Sequence, residues 1–81
     1  MKDEEIVEIL KEDFTKVLNK YYYSIISEEN VNKIKIDILH ICRRYKEAKA
    51  IPDDIGFNLL VSEDTINAVI NRENSFEIIQ I

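Results

Sequence analysis

The sequence predicts an α+β fold: two antiparallel helices packed on a small three-stranded antiparallel sheet, in the order α-α-β-β-β. Three observations predict it. Apolar residues step by three or four through the first half. After Pro52 the pattern changes to short β-prone runs separated by polar turns. Two helices cannot bury their apolar stripes on each other alone, so a sheet must take one side. With 81 residues the chain makes a single domain, 1–81, divided into a helical hairpin (1–50) and a β-meander (51–81).

The first helix is expected over about 3–23, with Asp3 as N-cap and Glu4 and Glu5 in its first turn. Ile6, Leu10, Phe14, Val17, Tyr21 and Ile25 mark its buried face. A second helix over about 27–49 is the most sharply defined element. Ser27 is placed to accept a hydrogen bond from the first turn, and Glu28 and Glu29 suit the positive end of the helix dipole. Val31, Ile34, Ile38, Ile41 and Tyr45 form its buried stripe, widened by Leu39 and Cys42. Ile51-Pro52 stops the run, because the residue before a proline is pushed out of the helical region.

Beyond it, Phe57, Leu59 and Val61 would share one face of a strand, and Ile66, Ala68 and Ile70 one face of the next. A short helix over 63–71, capped by Ser62, is the rival reading for that middle run. A third strand is expected over 75–81. Ile78 and Ile79 would then point to opposite sides, making both faces of that strand apolar. Such a strand is either covered within the domain or pairs with another chain by strand addition.

The net charge of −5 is unevenly laid out. Residues 1–31 hold eight acids and four bases, 32–50 two acids and six bases, and 51–81 six acids and one base. The balances are therefore −4, +4 and −5. Two acidic flanks beside one basic helix argue against nucleic acid as a partner, since phosphate-binding domains are usually basic overall. The basic residues read as a solvated face or as a docking patch for an acidic protein surface. No run reaches the ~18 apolar residues of a membrane span, so no membrane contact is expected. The opening Met-Lys-Asp-Glu-Glu lacks the marks of a signal peptide. Synthesis in the cytoplasm is the default expectation.

Little in the chain points to catalysis. His40 and Cys42 are two apart on a helix and diverge, whereas metal ligands on a helix prefer a spacing of four. Asp53-Asp54 followed by Glu63-x-Thr65 resembles a metal-dependent nuclease pattern, but Thr65 stands where the lysine is needed. One glycine allows no phosphate loop, and the one His has no arranged nucleophile. The expectation is no enzyme, no cofactor and no metal. The residues singled out as a protein interface are Tyr22, Tyr23, Arg43, Arg44, Phe76, Ile79 and Ile81. Consecutive tyrosines cannot all face one core, and tyrosine is favoured at interfaces.

The order of elements also resembles the C-terminal domain of contractile phage tail sheath proteins and related small phage virion proteins. The resemblance spans roughly 10–81. It rests on Tyr23-Ser24-Ile25-Ile26-Ser27-Glu28-Glu29-Asn30, on a long helix ending near Ala48-Lys49-Ala50-Ile51, on a strand over 57–61 followed by acids, and on the closing Phe76-Glu77-Ile78-Ile79. Glu29-Asn30 replaces the family's Pro-Asn, and Glu63-Asp64-Thr65-Ile66-Asn67 departs from its Asp-Glu-Thr-Asn-Asn. The resemblance implies a structural or assembly subunit, joined to copies of itself or to other virion subunits, with no catalytic residues to transfer. A small inhibitor or regulator of a host enzyme, of the anti-defence kind, is the alternative.

Overall fold

The computed structural model describes residues 2–21, 27–62 and 64–81. Helix α1 runs Asp3–Lys20 and α2 runs Glu28–Glu47. Strands β1 (Gly56–Val61), β2 (Ile66–Asn71) and β3 (Phe76–Gln80) follow, so the middle run is a strand and not a helix. The fold class is α+β, as the patterning predicts.

Ser27 caps α2 as expected, its side chain accepting from the Asn30 amide at 3.2 Å. Asp3 does not cap α1. Lys2 holds the cap position without a side-chain bond, and Asp3 instead meets Arg72 at 2.6 Å. Helix α2 stops before Pro52 is reached. Lys49 turns left-handed at φ 60, its amide bonds to Lys46 O, and the Ala50 amide bonds back to Tyr45 O. This is the Schellman arrangement, built without the usual glycine.

The two helices are antiparallel. Tyr45 donates to Asp13 at 2.7 Å near one end of the pair, while Tyr21 donates to Asp37 at 3.4 Å and Lys20 meets Asp37 at 3.7 Å near the other. Both lie on one side of the sheet, α1 over β2 and α2 over β3. The core between the layers holds Ile6, Leu10 and Phe14 of α1, Ile34, Ile38, Ile41 and Cys42 of α2, and Phe57 and Leu59 of β1. Ile51 and Ile55, in the connection after α2, are buried in it too and pin that loop. Phe57 is its centre. The Phe14 ring meets it edge-on at 5.3 Å, and Phe76 stacks beside it at 6.2 Å.

The sheet corrects one expectation. The strands are not an antiparallel meander: the order is β2-β1-β3, with β1 antiparallel to β2 and parallel to β3. Asn71, the last residue of β2, lies opposite Gly56, and Phe76, the first of β3, lies opposite Phe57. The four residues 72–75 therefore cross the start of β1 and set β3 on its far side. Asn74 turns at φ 51 to do so, and the Ser75 carbonyl accepts from the Phe57 amide at 2.8 Å. The Asn71 side chain holds this crossing together: it donates to Ser75 O at 3.3 Å and accepts from the Glu73 amide at 3.1 Å. A Cβ on Gly56 would collide with the Ser75 backbone and with Asn71 Oδ1, so the crossing needs glycine here.

Candidate protein-interaction surface

Alternation along each strand gives the sheet two unlike faces. The inner face carries the rows Ile70–Phe57–Phe76 and Ala68–Leu59–Ile78, packed under the helices. The outer face carries Asn67–Leu60–Ile79 and Val69–Asn58–Glu77, with Ile81 following on the same side. No element among the described residues covers it. Ile79 is 41% exposed and Ile81 77%, with Val69 also exposed. Glu77 is the one charged group on this face within the strands.

The second feature is the outer edge of β3. Its inner edge pairs with β1, and Ile81 adds a bond from its amide to Val61 O at 2.9 Å. The other edge has no strand partner among the described residues.

Helix α2 overhangs this edge. Lys46 lies 5.7 Å from the centre of the Phe76 ring and donates to Asn74 Oδ1. At 100° per residue, Lys35, Leu39 and Lys46 fall on one line within about 40°, and Arg43 stands beside it. Leu39 was expected in the buried stripe, but it is 40% exposed. Beneath its side of the helix no further strand lies among the described residues.

The residues named from sequence separate on this framework. Ile79 and Ile81 lie on the open face. Phe76 points the other way, into the core, as the strand period requires. Arg43 and Arg44 are both exposed but diverge, Arg44 leaning toward the α1 side. Tyr22 and Tyr23 lie outside the described residues, as does Ile25. Leu60, Val69 and Ile36 were missed. Leu60 was legible, since a strand that buries Leu59 must turn Leu60 outward.

Other candidate chemistry disperses. His40 is exposed on α2 while Cys42 is buried. Burial pushes the Cys42 thiol up from 9.0 to about 12, against a smaller opposing pull from Lys46, so its thiolate is scarce at neutral pH. Asp54 pairs with Arg72 at 3.7 Å before β1 begins, whereas the turn closed by Ser62 and Thr65 follows its end. Six residues of strand, about 20 Å, separate Asp54 from that turn; Glu63, the second carboxylate of the nuclease-like spacing, lies outside the described residues. Among the described residues no three His, Cys, Asp or Glu side chains gather, and no helix is long and apolar enough to cross a membrane.

Two buried or bonded acids set an alkaline limit. The Tyr45 phenol is held above its ordinary value, first by its hydrogen bond to Asp13, then by burial. Tyr45 and Cys42 are both neutral when protonated and both raised. Their contribution is complete below their unfolded values and is lost as pH climbs through the folded ones. The urea midpoint should therefore not fall on their account through neutral pH and should drop above about pH 9, with a shallower alkaline loss in Cys42→Ala. A Cys42→Ala profile that superimposes on the parent's would contradict this assignment.

The fold defines a class, a two-layer α+β domain with one sheet face that no described residue outside the sheet covers. The chain matches no protein-family model, no curated protein and no solved structure.

Proposed function

We propose that this protein is a non-enzymatic assembly module that works by protein–protein contact through the outer face of its sheet and the free edge of β3. One observation carries the reading. On the outer face of the β1–β3 pair, which no described element covers, Leu60, Ile79 and Ile81 fall together, and a cluster of apolar side chains left open on a surface marks an interaction site. A neighbouring subunit would supply the missing layer. The resemblance to tail sheath C-terminal domains makes a phage-like particle the setting.

The test is site-specific crosslinking in the producing cells. A photoreactive amino acid at Ile79 or Val69 should trap a discrete protein partner, and one at Lys16 on the helical side should not. Ile79→Lys should abolish the complex with an unchanged circular dichroism spectrum, because Ile79 supports no core residue. Truncating β3 is a poorer probe, since it also removes Phe76 and Ile78 from the core. Equal crosslinking from Lys16, or none from the sheet, would sink the proposal. A virion subunit in the crosslink places the protein in a particle; a single host enzyme places it among inhibitors.

A further inference from the structure

We infer that the groove between the β3 edge and the overhanging flank of α2 receives an extended acidic segment of a partner protein, added to the sheet as a fourth strand. The inference rests on the interaction-module reading and specifies the partner's chemistry.

The edge of β3 offers unpaired main-chain donors and acceptors, which an extended segment satisfies in any sequence. Selectivity must then come from side chains. A strand added about 4.8 Å beyond β3 would lie beneath Lys35, Leu39 and Lys46, with Arg43 at the margin. Four cations elsewhere in the molecule are paired with acids: Lys16 with Glu12, Lys20 with Asp37, Lys33 with Glu29 and Arg72 with Asp3. Lys35 and Arg43 have no acidic partner among the described residues, and Lys46 reaches only the neutral Asn74 and the Phe76 ring. Two acids stand at the ends of this flank: Glu28, on the same line at the first residue of α2 and about 10 Å along the axis from Lys35, and Glu47, one turn beyond Arg43. The flank is thus a predominantly positive row around an exposed leucine.

Alternation does the rest. In the added strand, every second side chain would face α2, where carboxylates meet Lys35, Lys46 and Arg43. The intervening side chains would continue the outer row of Leu60 and Ile79, where apolar residues fit. A second copy of this chain is a poorer occupant. Two β3 edges paired about a two-fold axis would bring the two cationic flanks together, and like charges across such a contact oppose it.

Fluorescence anisotropy with labelled synthetic peptides tests this. A nonapeptide alternating valine and glutamate should bind, and its valine–lysine counterpart should bind at least ~10-fold more weakly. The acidic peptide with central prolines should not bind, because proline cannot donate to the edge. Lys35→Glu with Arg43→Glu, both away from the core, should reverse the preference. Should that variant fail to fold, raising salt from about 50 to about 500 mM must weaken acidic-peptide binding to the parent. The inference is overturned if the two peptides bind alike or neither binds. It is also overturned if charge reversal changes nothing, or if the edge proves occupied by a second copy so that peptide competes with dimer. Crosslinks from Ile79 alongside a silent acidic peptide would remove this inference and leave the interaction module standing.

Discussion

Replacing Gly56 with alanine should cost about 3 kcal/mol or more, although the change adds one methyl group. The added carbon would meet main-chain atoms of Ser75 and the Asn71 side chain, not the movable tip of a long residue. Relief requires the 72–75 crossing to lift. Lifting it breaks the bond from the Phe57 amide to Ser75 O and the Asn71 contacts that hold the turn. Phe76 would shift with it, exposing one side of Phe57, the buried centre of the domain. In an 81-residue chain that loss is a large share of a total stability of the order of 5 kcal/mol. The thermal midpoint should fall by well over ~10 °C, and β3 amides should lose hydrogen-exchange protection before those of the helices. A melting curve superimposable on the parent's would show that the chain does not cross β1 at this point.

Ile38→Asp should leave no cooperative unfolding transition at all. Ile38 is 1% exposed at the middle of α2, between the helices and Phe57's layer. No buried polar residue accompanies it in the described core that could pair with a carboxylate. An unpaired buried charge costs several kcal/mol even after its pKa adjusts, which is comparable to the whole stability. Two controls fix the interpretation. Ile38→Val should cost only ~1 kcal/mol. Ile36→Asp, two residues away but 53% exposed, should change stability by no more than about 0.5 kcal/mol. Urea unfolding of the three variants decides it; equal damage from Ile36→Asp would mean that the buried face of α2 has been misassigned.

The two variants probe different kinds of information. The face of α2 was legible in the sequence, because helical geometry is local: a residue's azimuth follows from its number once the helix exists. Ile34, Ile38, Ile41 and Cys42 fall inside on that ground alone, and Ser27 caps because the acceptor and the free amides are three residues apart. Strand faces were legible for the same reason, with Phe57 and Leu59 in, and Ile78 and Ile79 on opposite sides.

The sheet's order was not. Alternation is identical in a parallel and an antiparallel strand, so nothing within 76–80 distinguishes a third meander strand from one on the far side of β1. That choice depends on whether four residues can pass the start of β1, and Gly56 answers it through space. The candidate site depended on the same decision. With β3 beneath α2 and no strand beyond it among the described residues, the helix is wider than the sheet it covers. Leu39, apolar and correctly spaced for burial, is left over an edge with Lys35 and Lys46 beside it. The sequence determined which residues each element turns toward its neighbours; only the tertiary structure decided where the neighbours end.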